Sequence, residues 1–592
     1  MLLLLILTLF LGTSGTIVLL FIWRGWTVER LTARCWRWWF LHVLSKQNQL
    51  RILDCDASNA HGVQEKLLLK ALRGLQDTEY GKKHHFKDVA DISSFKRLHP
   101  LTHYSHYKDY IQQMAQGEQN ILVTGGPLAL VATTGTSGLS SLVPVKASSA
   151  TERFIQGTSV CLQVIQKSFP GALEKVTKFT FPPNQINSHA GIPIGSYPCA
   201  TSASFLEYLY SPSPPHHPTM SHHEVLYTQI LYALRDRGLM VLEANLAWHL
   251  REVFSFMETY WGSLVTDIEM GYLNPDLKLP QDTRREIEDY LLPDVGRAAE
   301  LRAQFEKGFV GIAKRIWPQL QVVVAVGSGA NELDLQILKD TACQGILIYS
   351  PMYYAVEGLI GVNLWPENID PRYVMCPRSA FFEFIPLTTV KEEEPDTVCM
   401  KDVIIGEAYE LVITNTDGLC RYRLGDVVRV TALHNQSPVL EFLHRKSQTL
   451  SVRGERISED EFYRALLHTV NIWPGATLVN YCCIESGILG PFLGGSDPHY
   501  EVFIALKGVR DLSEEQRNKL DQALQDRFPI YKSFRFKGSI GPVRVHLVSH
   551  QSFFKLHVLA SCISGAPLDC IQPPRTLRHR RLAECIQKQV VS

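Results

Sequence analysis

The sequence predicts an α/β protein with a large N-terminal domain and a smaller α+β domain at its C-terminal end. The first observation is a βαβ unit. Val322-Val323-Val324-Ala325-Val326 and Gly345-Ile346-Leu347-Ile348-Tyr349 are short apolar runs of the kind that form buried strands of a mixed sheet. Residues 332–341 between them read as a helix. The second observation is a change of character in the last third. Ser513-x-x-Gln516 is a capping box that opens a helix reaching to about Phe528. Strands at 501–506 and 543–548 flank that helix.

In chain order, residues 1–23 contain no charged side chain and form a segment of their own. As a helix they would span ~34 Å, about the hydrocarbon thickness of a bilayer. Arg24, Arg30, Arg34 and Arg37 follow, interleaved with Trp23, Trp26, Trp36, Trp38 and Trp39, a pattern suited to an interface. Two readings stand. An uncleaved signal-anchor would tether the chain to a membrane through this segment, with the remainder in the cytosol at the endoplasmic reticulum or nuclear envelope. A cleaved signal peptide, with Leu2 to Leu11 as its apolar core and Thr13-Ser14-Gly15 as its cleavage region, would send the chain to the secretory lumen or outside the cell. The large domain is expected over 45–446 and the small one over 447–592, with Arg445-Lys446-Ser447 as the hinge. Strands at 409–414, 427–433 and 439–444 should precede that hinge, with turns at Asp417-Gly418 and Asn435-Gln436-Ser437-Pro438.

Composition narrows the function. The 592 residues are 45% hydrophobic and 20% charged, as in a folded chain. Lys+Arg and Asp+Glu both total 59, so no global basic field exists to hold nucleic acid. Only one apolar run is long enough to cross a bilayer, which excludes a multispanning protein. The 13 cysteines contain no C-x-x-C pair and read as buried, reduced thiols. Residues 211–218 read as a surface loop whose two histidines are ordinary exposed ones.

Three places have residue types suited to nucleotide chemistry. Thr133-Thr134-Gly135-Thr136-Ser137-Gly138 follows an apolar strand at 128–132, and its hydroxyls and backbone N–H groups would suit phosphate oxygens. It lacks the Gly-Lys-Ser/Thr ending of a Walker loop, and most such runs are plain loops. Tyr353-Tyr354-Ala355-Val356-Glu357-Gly358 follows the strand at 345–349. There Glu357 is either a Mg²⁺ ligand at a strand end or a solvated side chain. Gly425-Asp426 enters a strand, where Asp426 either meets both ribose hydroxyls or forms an ion pair with Arg421 or Arg423.

The order and spacing of these pieces resemble adenylate-forming enzymes. More narrowly, residues 78–575 resemble the Gretchen Hagen 3 family of acyl-acid amido synthetases. The landmarks are Pro100-Leu-Thr-His-Tyr-Ser-His-Tyr107, the Thr133 loop, residues 262–273 with an Asp267-Ile-Glu core, residues 353–358, Ser539-Ile-Gly-Pro542 and Pro573-Pro-Arg575. The most specific is Tyr409-Glu-Leu-Val-Ile-Thr with Gly418-Leu-Cys-Arg-Tyr-Arg-Leu-Gly-Asp-Val-Val428. The resemblance implies a firefly-luciferase-like adenylate-forming large domain and two-step ligation of a carboxylic acid to an amino acid, using ATP and Mg²⁺. It implies that Thr133, Thr134, Gly135, Thr136, Ser137 and Gly138 hold phosphates and that Glu357 holds Mg²⁺. Asp426 would grip ribose, with Tyr353 and Arg456 also at the nucleotide.

The departures from the family pattern concern charge. Leu142 and Gln572 stand where the family has lysines, and Arg456 stands where it has a lysine before the hinge. Leu139 replaces a loop glycine, and Ala355 replaces a serine. Lys146 lies four residues beyond Leu142, ~13 Å along a strand, too far to substitute. Losing one such donor commonly costs about 100- to 1000-fold in rate. The sequence therefore supports an acid–amino acid ligase or, alternatively, a non-catalytic relative that binds a nucleotide, acyl ligand or protein while tethered to a membrane.

Overall fold

The computed structural model describes residues 35–36, 49–133, 141–180, 186–195, 209–388, 394–489, 497–564, 568 and 571–592. The apolar segment 1–23 and the loop residues Thr134, Gly135, Thr136, Ser137 and Gly138 lie outside these. Among the described residues no helix is long and apolar enough to cross a membrane.

The βαβ unit is present as strand Val322–Val326, helix Glu332–Asp340 and strand Leu347–Tyr349. Gly345 is not in the strand as expected. It sits at φ 78° in the preceding turn, a conformation glycine adopts without a Cβ clash. Nor is the sheet mixed. Its order is Val176–Phe179, Val241–Leu246, Val322–Val326, Leu347–Tyr349, and every adjacent pair is parallel. Parallel neighbours need crossovers, so helices such as His222–Arg235, Ala247–Met270 and Val295–Phe305 cover this sheet and share one apolar core with it.

The strands before the hinge belong to a different, eight-stranded sheet in which all neighbours are antiparallel. Ala408–Thr414, Tyr422–His434 and Ser437–Arg445 lie side by side there, followed by Tyr373–Met375, Gly358–Val362 and Met352–Ala355. The Asp417-Gly418 turn is real. Gly418 has φ 102°, and a Cβ there would stand 2.8 Å from the Leu122 carbonyl oxygen. A smaller sheet pairs Ala129–Ala132 with Leu142–Val145.

The C-terminal part is α+β, as expected. Its sheet runs Arg544–Leu547, Tyr500–Lys507, Thr477–Glu485, Thr576–Leu577. Ser513 and Gln516 form the capping box at the start of Glu514–Arg527. The expected hinge falls on the short Lys446–Gln448 3₁₀ turn. All eleven described cysteines are free, and seven of them are buried, the environment expected for thiols acting as small hydrophobes.

Two contacts join the halves. Leu333 and Ile337 of the Glu332–Asp340 helix pack into the C-terminal core around Phe462 and Tyr481. Ala132 and Leu142 pack with Ile484 and Phe553. A buried ion cluster reinforces the first contact. Arg575, 1% exposed, donates from Nη2 to the Ala330 carbonyl at 2.8 Å and to Asp334 at 3.2 Å. It also donates to Asn480 and to the Tyr481 carbonyl, and lies over the Tyr481 ring at 4.8 Å. Arg251 meets Asp334 at 2.8 Å and the Val479 carbonyl at 2.7 Å.

Removing one member of such a buried pair costs about 3–5 kcal/mol, because the other charge stays buried. Arg575→Ala should therefore lower the melting temperature and speed protease cleavage at the Lys446–Gln448 turn. A variant cleaved as slowly as the parent would show that Arg575 does not hold the halves together.

Candidate functional site

Met352–Ala355 and Gly358–Val362 form a hairpin whose two-residue turn is Val356-Glu357. Glu357 therefore does not end the Leu347–Tyr349 strand, as the sequence suggested. It lies one hairpin later. Nor is it solvated, being 6% exposed. Burial holds its carboxyl above the ordinary carboxylate range.

The turn is fixed from outside. Asn415 Nδ2 donates to the Glu357 carbonyl at 2.7 Å, and Arg153 Nη1 donates to the Val356 carbonyl at 3.0 Å. Arg153 also pairs with fully buried Asp417. Asp417 accepts in addition from the Lys146 backbone N–H at 3.0 Å and from Ser149 Oγ at 2.5 Å. The Ala147–Arg153 helix, the Gly418 turn and the hairpin are thereby tied to one another.

Tyr353, on the same hairpin, donates its hydroxyl to Asp426 Oδ2 at 2.7 Å. Asp426 has no solvent exposure. Arg445 donates from Nε to Oδ1 at 2.6 Å and from Nη2 to Oδ2 at 3.2 Å. Its partner is thus Arg445, neither Arg421 nor Arg423. Arg421, in the left-handed region at φ 45°, is held by Glu383. Arg423 and Lys446 both donate to Glu410, at 2.7 and 2.8 Å. Burial pushes the Glu410 carboxyl up, but those two cations more than offset it and leave its pKa lowered. A carboxylate offers about four lone-pair sites. Tyr353 and Arg445 fill three of those on Asp426 from within the protein.

Burial raises the Tyr353 phenol well above its usual value, and the Asp426 charge adds to this, so Tyr353 stays a donor. Burial also raises the Tyr422 phenol, and the Glu357 charge adds to this. The structure thus brings together Tyr353, Glu357 and Asp426 of the residues singled out from sequence.

The others are placed differently. Thr133 donates its N–H to the Ser141 carbonyl at 2.8 Å and accepts the Ser141 N–H on Oγ1 at 2.9 Å, closing the neck of the loop. Leu142 is half-buried in the contact with the C-terminal part, its N–H donating to the Tyr104 hydroxyl at 3.2 Å. Gln572 is half-buried ahead of the buried Pro573-Pro574-Arg575. Arg456 is exposed, while its neighbour Glu455 is buried and accepts from the Tyr500 hydroxyl.

A Mg²⁺ ion at a nucleotide usually takes one or two carboxylates, with phosphate and water filling the remaining positions. No group of three or more His, Cys, Asp or Glu among the described residues forms a metal cage. The single buried Glu357 carboxylate suits the nucleotide-borne kind of site, since a cation there would favour its ionised form.

Sequence reasoning missed Arg445 as a site residue, along with Arg153, Asn415 and Asp417. A signal for the first was available. With Asn435-Gln436 as the turn, nine steps back from Asn435 reach Asp426, and nine steps on from Gln436 reach Arg445, its cross-strand partner. No comparable spacing marks the other three.

Arg445→Met should cost about 3–5 kcal/mol in a urea titration, because it strands a buried charge. Tyr353→Phe should cost about 1.5–3 kcal/mol, the range for a hydrogen bond to a charged group. Pairing Arg445→Met with Asp426→Asn should recover part of the loss. If the costs simply add, the two side chains are not energetically coupled.

Models of the GH3 (Gretchen Hagen 3) family match most of the chain: the family's N-terminal domain at 49–343, its central domain at 373–445 and its C-terminal domain at 460–581. A GH3 domain-containing protein of Homo sapiens is 44% identical over 364 residues, a match covering 61% of this chain and 65% of that protein. The chain thus matches just under two thirds of that relative's length. A probable indole-3-acetic acid-amido synthetase of Arabidopsis thaliana is 28% identical over 565 residues, covering 92% and 93% of the two chains. The solved structure of GH3.15 acyl acid amido synthetase superposes with a TM-score of 0.80 at 24% identity, covering 92% of this chain and 96% of that one.

Proposed function

The chain belongs to the GH3 family, and from that premise we propose that it is an ATP-dependent ligase joining a carboxylic acid to an amine, usually an amino acid. The observation that carries this reading is the buried Tyr353–Asp426–Arg445 cluster with Glu357 on the same hairpin. A carboxylate held by a cation and a phenol is an acceptor for a ribose hydroxyl, and because Asp426 is fully buried the nucleotide would open the cluster to reach it.

In the first step a carboxylate oxygen of the acid attacks the α-phosphorus of ATP, and the bond to the β-phosphate oxygen breaks, releasing pyrophosphate. In the second, the amine nitrogen attacks the acyl carbon and AMP leaves, with a proton lost from nitrogen. Glu357 is the residue that would hold Mg²⁺, which supplies charge neutralisation to the polyphosphate. Thr133 would set the entry of the phosphate loop, with Thr134 to Gly138 supplying donors. Residues 1–23 would tether the ligase to the endoplasmic reticulum or nuclear envelope, with its body on the cytosolic side where ATP is supplied.

The alternative reading is a binding protein without turnover. Leu142 favours it. The side chain standing where the family has a lysine packs against Ile484 and Phe553 instead of offering a charge.

Pyrophosphate exchange across a panel of carboxylic acids separates the two. The ligase reading expects acid-dependent exchange, rising about 100-fold or more when Leu142→Lys and Gln572→Lys restore both charges. Bound ATP with no exchange in parent or double variant would leave the binding-protein reading standing.

A further inference from the structure

The helix Pro529–Phe536 has one face fastened and one face bare. Tyr531 is fully buried and donates its hydroxyl to Asp521 at 2.6 Å, and Arg535 donates to the same carboxylate at 3.1 Å. At 100° per residue, Pro529, Ile530, Lys532, Ser533 and Phe536 fall together on the opposite side. All five are exposed, Ile530 by 60% and Phe536 by 94%.

The charge along this stretch of sequence is one-sided. From Arg527 to Arg544 the sequence has five cations, Arg527, Lys532, Arg535, Lys537 and Arg544, and no Asp or Glu. That is unusual in a chain whose cations and anions balance at 59 each. Asp521 occupies Arg535, and Asp526 precedes the run as an exposed anion. Among the described residues no ion pair holds Arg527, Lys532 or Lys537. Arg453 adds another cation at the helix's C-terminal end, where its Nε donates to the Ser539 carbonyl at 3.3 Å. A hollow of about 430 Å³ is lined by Gln525, Pro529, Lys532, Ser533, Arg535 and Phe536.

We propose that this face docks on an anionic lipid surface. Phe536 and Ile530 enter the headgroup layer while Arg527, Lys532 and Lys537 sit at lipid phosphates. This is the arrangement by which basic amphipathic helices lie on membranes. Charge complementarity selects that occupant. A projecting aromatic on a short helix that carries Lys532 and ends at Lys537 suits a flat negative surface, whereas a peptide helix would need a slot lined by apolar anchors. The proposal does not depend on the ligase reading, and it concerns a surface separate from residues 1–23.

The test is hydrogen exchange on the full chain, followed peptide by peptide, with vesicles of phosphatidylcholine alone or mixed with phosphatidylserine. Exchange across 527–538 should slow several-fold with the mixed vesicles only. The effect should fade as salt is raised, and it should vanish in Lys532→Glu/Lys537→Glu and in Phe536→Ser. These side chains are exposed, so the variants should keep the parent's thermal unfolding. Unchanged exchange at 527–538 while the chain still floats with vesicles would overturn the proposal and place membrane binding elsewhere. Equal slowing by both vesicle types would overturn it too. Slowing by polyglutamate but not by vesicles would point instead to an acidic protein partner.

Discussion

Asp426 is a fully buried carboxyl group, and the middle of the molecule is arranged around that fact. Burying a carboxylate costs several kcal/mol even after the protein relaxes. Arg445 offsets this from the neighbouring strand and Tyr353 from the Met352–Ala355 hairpin. Each partner brings a functional segment with it. The Tyr353 hairpin carries Glu357 in its turn, and Arg445 ends the last strand before the Lys446–Gln448 turn. Lys446 is anchored in its own right by Glu410. The chain therefore leaves the antiparallel sheet at a pinned point, and the geometry of the candidate nucleotide site is set by the same contacts that pin it.

The C-terminal part is held a second time, far along the chain, by the same kind of interaction. Arg575 is buried against Asp334 and the Ala330 carbonyl, with Arg251 completing the cluster. Around it the contact is apolar, through Leu333 on one side and Leu142 on the other. A lysine at 142 would have to keep its ammonium out of that apolar surface. One substitution thus has two consequences. Under the proposed reading it would remove a cation from the approach to a phosphate loop, while in the structure it adds hydrocarbon to the seal between the two halves.

Much of this was legible from residues alone. Apolar runs at 322–326 and 345–349, the second shortened in the structure to Leu347–Tyr349, and the capping box at Ser513 report local physics that tertiary structure preserved. Whether the first sheet was parallel or mixed was not legible, because a run buried on both faces looks the same either way. Glu357 and Asp426 stand out in the sequence, but their surroundings do not. A lone Glu before glycine carries no mark of burial, and Asn415, Arg153 and Asp417 reach its turn from segments as much as 264 residues apart. Arg445 was within reach, since its pairing with Asp426 follows from the turn at Asn435-Gln436. In the sequence it sits at the change from the large to the small domain, and the cations nearest Asp426 along the chain are Arg421 and Arg423. Each of those has a carboxylate of its own.

The central claim is that Asp426 and its partners form a ribose-reading nucleotide site, and paired calorimetric titrations with Mg·ATP and Mg·2′-deoxy-ATP test it most directly. A ribose hydroxyl bonded to a buried carboxylate is worth about 1.5–3 kcal/mol, so ATP should bind about tenfold or more tightly than the deoxy form. That preference should shrink in Asp426→Asn. No heat with either nucleotide, or equal affinity for both in the parent chain, would contradict the account.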